Sequence, residues 1–197
     1  VRKAVESSGA GEVLLEADRN LLVRDWGPDG RSLMLTAQRD ETGWDQLVLE
    51  LDGEKETKEI IVTEFTEGGG RLSPDGRWLV YQSDASGRFE VYVQPFPGPG
   101  RTLRASTAGG LWPRWNGDGT EIHYLSFSGA LMSVPVRSSG TGLTLAPAVE
   151  LFTGPSIEDS GQYDVADDGR FLVIESFAEA EPEPVMVLMN WPAVLDR

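Results

Sequence analysis

Hydrophobic positions in this chain fall in short runs, and clusters of turn residues separate them. Residues 44–51 alternate: Trp44, Gln46, Val48 and Glu50 share one face, and Asp45, Leu47, Leu49 and Leu51 the other. That is the period of a half-buried strand. Residues 89–94 alternate in the same way. Other runs, such as Trp78-Leu79-Val80-Tyr81, are apolar on both faces. A strand sandwiched between two sheets needs this, whereas a sheet with one wet face does not. No long stretch carries helical periodicity. The pattern predicts an all-β chain with strands over 12–16, 21–26, 32–36, 44–51 and 59–63, then 77–82, 89–94 and 101–106. Further strands are expected over 111–115, 121–126, 130–136 and 148–152, and then over 161–165, 171–176 and 185–191.

One turn punctuates these runs four times. Ser73-Pro74-Asp75-Gly76 precedes the run starting at Arg77, and Gly27-Pro28-Asp29-Gly30 the run at Arg31. Asn116-Gly117-Asp118-Gly119 and Ala166-Asp167-Asp168-Gly169 are the other copies. A hairpin can close with a type I turn followed by one left-handed residue. Proline presets φ at the second position, and aspartate at the third hydrogen-bonds local backbone. The fourth takes φ > 0, where a Cβ clashes, so glycine goes there. The structural turn residues are therefore Asp29, Gly30, Asp75, Gly76, Asp118, Gly119, Asp168 and Gly169.

The four glycines lie 46, 43 and 50 residues apart. Periods in the forties with several strands each mark propeller blades. The expected fold is a β-propeller of about four blades, each of four antiparallel strands, forming an incomplete part of a six- or seven-bladed ring. Residues 1–18 would end a preceding blade. Residues 19–64, 65–107 and 108–153 would form three blades, and 154–197 a last blade lacking its outer strand. Gly68-Gly69-Gly70 reads as a linker between blades, since no lysine or helix follows to make it a phosphate loop. An open ring leaves apolar faces and strand edges bare, so self-association or marginal stability is expected unless missing blades are supplied.

Composition narrows the function classes. Acidic residues outnumber basic ones, 32 to 17, for a net charge of −15. Nucleic-acid binding needs basic patches and is not expected. With no cysteine, disulfides, thiolate catalysis and cysteine metal sites are excluded. No apolar run reaches the roughly 18 residues of a membrane span, so no membrane insertion by this segment is expected. The chain starts at Val1 without an initiator methionine or signal peptide, as a piece of a longer protein would.

Candidate chemistry is sparse. His123 is the one histidine and lies within a strand run. Acting as a general base would require a nucleophile and an orienting acid, and no Gly-x-Ser-x-Gly elbow occurs, so a structural role is expected. Asp29, Asp75, Asp118 and Asp168 recur once per blade, which keeps them too far apart to share a calcium ion. Asp164, Asp167 and Asp168 form the one local acidic cluster. Trp26, Trp78, Trp112 and Trp115 read as inter-blade core, or alternatively as an aromatic rim to a ligand groove. No catalytic residue, cofactor site or metal site is assigned.

At Leu72-Ser73-Pro74-Asp75-Gly76-Arg77 the chain resembles TolB-like propeller repeats, relatives of WD-type repeats. Further segments carry the likeness: Thr42-Gly43-Trp44-Asp45, Leu51-Asp52-Gly53, the stretch from Gly87-Arg88-Phe89-Glu90 through Tyr92-Val93-Gln94-Pro95-Phe96-Pro97, and Leu188-Met189-Asn190-Trp191. Together they look like the C-terminal propeller of bacterial serine/threonine protein kinases of eukaryotic type. The resemblance implies a non-catalytic binding or sensing module. It would receive a protein, peptide or small ligand on a face or in its channel, on the extracytoplasmic side, with any kinase domain lying elsewhere in the parent. Stand-alone periplasmic propellers share the repeat. Two enzymatic alternatives are a propeller gating a prolyl-oligopeptidase-type hydrolase and a lactonase-like propeller with an axial metal.

Overall fold

The computed structural model describes residues 11–40, 43–140, 142–153 and 163–174, with the backbone of 187–188. Among these residues there are sixteen strands and no helix. The first antiparallel sheet is β1 (Leu21–Trp26), β2 (Ser32–Arg39), β3 (Gly43–Glu50) and β4 (Thr57–Ile61), in that order. The second is β5 (Glu67–Leu72), β6 (Trp78–Ser83), β7 (Glu90–Pro95) and β8 (Leu103–Arg104). The third comprises β9 (Leu111–Trp115), β10 (Glu121–Leu125), β11 (Ala130–Ser139), β12 (Gly142–Leu145) and β13 (Val149–Thr153). Its long β11 serves two neighbours: residues 130–133 pair with β13 and residues 136–139 with β12. The fourth sheet is β14 (Tyr163–Val165), β15 (Phe171–Val173) and β16 (Val187–Leu188).

Each sheet is a meander and packs face to face on the next. This is the propeller arrangement, and the two-faced strands explain it. On β6, Leu79 and Tyr81 join Met34, Val48, Ile61 and Leu72 in the seam with the first sheet. Trp78 and Val80, pointing the other way, join Trp115, Ile122 and Tyr124 in the seam with the third. Leu125 and Leu131 then meet Tyr163, Phe171 and Val173 in the seam with the fourth. Among the described residues no cluster joins the fourth sheet to the first, and Leu172 and Ile174 remain 43% and 47% exposed. Over the described residues the array is an incomplete ring.

Three local expectations change. Gly68-Gly69-Gly70 is no linker but part of β5, the innermost strand of its sheet. A Cβ on Gly70 would lie 2.2 Å from Gln46 Oε1, so the neighbouring sheet's approach is what demands glycine. The strand expected over 12–16 does not form, and only Glu12 makes an isolated bridge. Leu14 and Leu15, adjacent in sequence, both pack against the leucine cluster of the first sheet, whereas a strand would turn them to opposite faces. β12 was not expected, because its Gly-Leu-Thr-Leu follows a polar Ser-Ser-Gly run that reads as loop. Residues 1–10, 154–162, 175–186 and 189–197 lie outside the described residues, and with them the acidic loop, most of the 185–191 strand and the Leu188-Met189-Asn190-Trp191 likeness beyond Leu188.

Candidate binding site

The site begins at the four turns. In each, the glycine N–H donates to the carbonyl three residues before it: Gly30 to Gly27, Gly76 to Ser73, Gly119 to Asn116 and Gly169 to Ala166, at 2.8–3.2 Å. The aspartate Oδ1 accepts from the N–H two residues on, at Arg31, Arg77, Thr120 and Arg170. The glycines adopt φ of 68°, 69°, 73° and 79°. Successive turns stack, since a Cβ on Gly76 would meet Pro28 Cγ and one on Gly119 would meet Pro74 Cδ, each at 3.4 Å. The turn aspartates stay apart. Asp75 and Asp168 bond the arginines two residues on, and Asp118 bonds Thr120.

Because the turns are in register, the innermost strands are too. Five residues before the glycines stand Asp25, Arg71, Arg114 and Asp164. One on each innermost strand, they line a cavity of about 270 Å³ together with Trp115 and Asn116. Arg71 Nη1 donates to Asp25 Oδ1 at 3.3 Å, and Asp25 Oδ2 accepts from the Leu72 N–H at 3.1 Å. Arg114 Nε lies 3.3 Å from Asp164 Oδ1, and its guanidinium sits 5.6 Å from the centre of the Tyr163 ring. Trp115 Nε1 donates to the Arg71 carbonyl at 3.3 Å.

The electrostatics are those of crowded cations. Burial, and then the adjacent Arg114, push the Arg71 guanidinium below its ordinary value against the pull of Asp25. Burial, Arg71 and Arg114 lower Arg24 in the same way. Burial raises the Asp25 carboxyl, outweighing its bonds to Arg71 and the backbone.

The other candidates lie elsewhere or act otherwise. His123 is 2% exposed, and burial lowers its pKa to about 4, so it is neutral near pH 7. Its ring stands edge-on to Phe171 at 4.9 Å between the third and fourth sheets. Asp164 pairs with Arg114 and Asp168 with Arg170. No group of three potential ligands among the described residues is arranged to hold a metal ion. Trp78 and Trp115 lie in the core, Trp26 is 51% exposed, and Trp112 is half-buried with φ 56°. A larger hollow of about 660 Å³ near Asn20 and Gln38 is open, and those two amides bond each other at 2.7 Å. Sequence reasoning missed Asp25, Arg71 and Arg114. The available signal was a charge at one fixed offset from every turn glycine, on strands that are otherwise largely apolar or glycine-rich.

A putative TolB from Agrobacterium tumefaciens superposes with TM-score 0.57 at 18% identity, covering 72% of this chain and 54% of that one. TolB from Acinetobacter baumannii superposes with TM-score 0.65 at 15% identity, covering 85% and 40%. The fold is a TolB-like β-propeller. In sequence, the uncharacterized protein Atu1656 of Agrobacterium fabrum is 27% identical over 116 residues, covering 56% of this chain and 37% of its own length. No protein-family model matches. The chain thus spans between about a third and a little over half of the proteins it matches.

Proposed function

We propose that this chain is a non-catalytic binding module that receives a protein, peptide or small ligand at the turn-side mouth of its propeller. The observation that carries this reading is the row Asp25, Arg71, Arg114 and Asp164: four charges from four sheets around one cavity. Hydrogen-bonding groups at the convergence of rigid strands are how a preorganised recognition surface is built. The arrangement offers no nucleophile beside a base. A photo-crosslinking side chain at Asp167, which lines the cavity, tests the reading against the same group at exposed Lys58 on β4. Adducts with a discrete partner should form from position 167 and not from 58. Equal adducts from both positions, or none from 167, would refute it.

The finer reading makes the module the C-terminal sensor of a bacterial serine/threonine kinase, facing the extracytoplasmic side. It rests on the Gly87 to Pro97 and Thr42 to Gly53 likenesses. The coding sequence directly upstream tests it: a kinase domain followed by a membrane segment is the expected result, and any other domain there defeats it.

A further inference from the structure

We propose that Arg71 and Arg114 form a subsite for one carboxylate group of an incoming ligand, such as an acidic side chain or a chain terminus of a peptide. The inference rests on the binding reading above and names the chemistry of its central contact.

Two guanidinium groups from neighbouring innermost strands share one cavity wall. Each is mostly removed from solvent, with side chains 25% and 16% exposed. Neither is well satisfied. A guanidinium has five N–H donors. Arg71 uses one on Asp25, at 3.3 Å, and its buried Nε has no hydrogen-bond partner. Arg114 reaches the Tyr163 carbonyl only at 3.5 Å, and its buried Nε also has no hydrogen-bond partner, although Asp164 lies close. Buried like charges with spare donors are costly unless an anion sits between them.

The existing carboxylates do not fill that role. Asp25 spends one oxygen on the Leu72 backbone, and Asp164 has a side chain 73% exposed and shares its Oδ1 between Arg114 and the Val165 N–H. Arg24 adds a third cation within electrostatic reach of both arginines. Three cations face three carboxylates, Asp25, Asp164 and the exposed Asp167, so it is the unfilled buried donors, and not a surplus of charge, that call for an acceptor. A planar carboxylate matches the guanidinium fork and takes two parallel bonds. A phosphate dianion would bring a second negative charge up against Asp25, Asp164 and Asp167. In a chain of net charge −15, this pair is a local positive focus that selects where an acidic group can land.

The test is a nuclear magnetic resonance titration of the 197-residue chain, labelled at arginine Nε, with sodium acetate and with sodium chloride at matched ionic strength. The Arg71 and Arg114 signals should shift saturably with acetate, while Arg31, 72% exposed, should not. A blocked pentapeptide with a central aspartate should bind the same site, and its asparagine counterpart should not. Arg71→Gln and Arg114→Gln should each weaken binding about 10- to 100-fold, the worth of one charged hydrogen bond. Asp25→Asn should tighten it, because it frees a donor of Arg71 and removes a repelling charge. A purely structural pair would show no such gain. Absence of saturable shifts in the unaltered chain, equal shifts at Arg31, equal binding of the two peptides, or phosphate outcompeting acetate would each overturn the subsite. Should position 167 cross-link a partner while acetate and the aspartate peptide shift nothing, the binding module stands and the carboxylate subsite falls. Shifts at the arginines without rim adducts would give the reverse.

Discussion

Gly69 on β5 and Trp112 on β9 hold the same place in successive blades, seven residues before Gly76 and Gly119. Both adopt positive φ, 66° and 56°. Both strands break register there: the ladder skips from Gly68 to Arg71 on β5, and opposite His123–Leu125 on β9. The bulge in each case lies directly before the arginine of the candidate site, a common place for a device that re-aims a side chain. Glycine takes this backbone freely, whereas tryptophan is strained in it. Trp112 is held by its surroundings. Its N–H donates to Gln82 Oε1 at 2.8 Å, and its carbonyl accepts from the Tyr163 hydroxyl at 2.6 Å. Burial raises the pKa of that hydroxyl, which keeps it a donor. Gly69 has no such partner, since the next innermost strand presents Pro113, whose Cδ would lie 3.4 Å from a Cβ on Gly69. One backbone device is therefore reached by two routes, intrinsic freedom in one blade and tertiary support in the next.

Exchanging the routes gives the largest expected effect. Gly69→Trp should destabilise the fold by about 3 kcal/mol, combining strain with overpacking. Gly69→Ala should cost about 1 kcal/mol, because a methyl group adds only tight contacts with Gln82 and Pro113, at 3.3 and 3.4 Å, to the conformational mismatch. Urea midpoints of the two variants measure the gap. A tryptophan as mild as alanine would show that Gln82 and Tyr163 are not what makes Trp112 tolerable.

Next in size is Tyr163→Phe, expected to cost about 2 kcal/mol by stranding the Trp112 carbonyl. The His123 carbonyl, 3.0 Å from the same hydroxyl, loses a contact too. Denaturation of this variant alone and in combination with Trp112→Gly sharpens the point: glycine keeps the carbonyl but not the strain, so the penalty should shrink to that of the lost hydrogen bonds. Undiminished loss in the double variant would separate Tyr163 from the strained turn.

The same contrast at a turn is smaller. Gly76→Val should cost about 1–2 kcal/mol, from a branched side chain at φ 69° set against Pro28. Gly76→Ala should cost less, and thermal unfolding of both variants orders them. Valine behaving as neutral would mean that the left-handed position carries no constraint.

A further contrast is a slope with pH that belongs to β5 and not to β9. Glu67 opens β5, and the equivalent position before β9 is Gly110. Burial raises the Glu67 carboxyl to about 7, against hydrogen bonds from Thr63 and Ser83. Folded, it keeps its proton well above the unfolded carboxyl value. The stability this contributes is complete below the unfolded pKa and is lost as pH rises through about 7. Urea midpoints should therefore fall between about pH 5 and pH 8, and Glu67→Gln should flatten that fall. An unchanged slope in the variant would assign the pH dependence to other groups.

Much of the fold was legible because its cues are local. Trp78-Leu79-Val80-Tyr81 announced a strand needed on both faces, and the seams formed by Trp78 with Val80 and by Leu79 with Tyr81 are what that pattern describes. Gly68-Gly69-Gly70 misled because glycine runs are common in linkers. The reason for Gly70, a buried glutamine 24 residues away whose Oε1 accepts its N–H at 3.2 Å, belongs to another sheet. Residues 12–16 misled because their composition suits a strand, but only Glu12 makes a bridge and no ladder follows it. The candidate site was hidden for a similar reason. Arg71 and Arg114 look like ordinary surface charges until the sheets bring them to one cavity.

The sequence by itself determined the repeat. Asp-Gly turns and alternating runs act through φ, ψ and side-chain direction within a few residues, so nothing distant is needed to read them. Tertiary structure alone decided which repeat positions face one another, which strained residue is tolerated and where charges gather. Those outcomes depend on contacts such as Tyr163 to Trp112, 51 residues apart, whose strength is set by burial between sheets rather than by either residue's own preference.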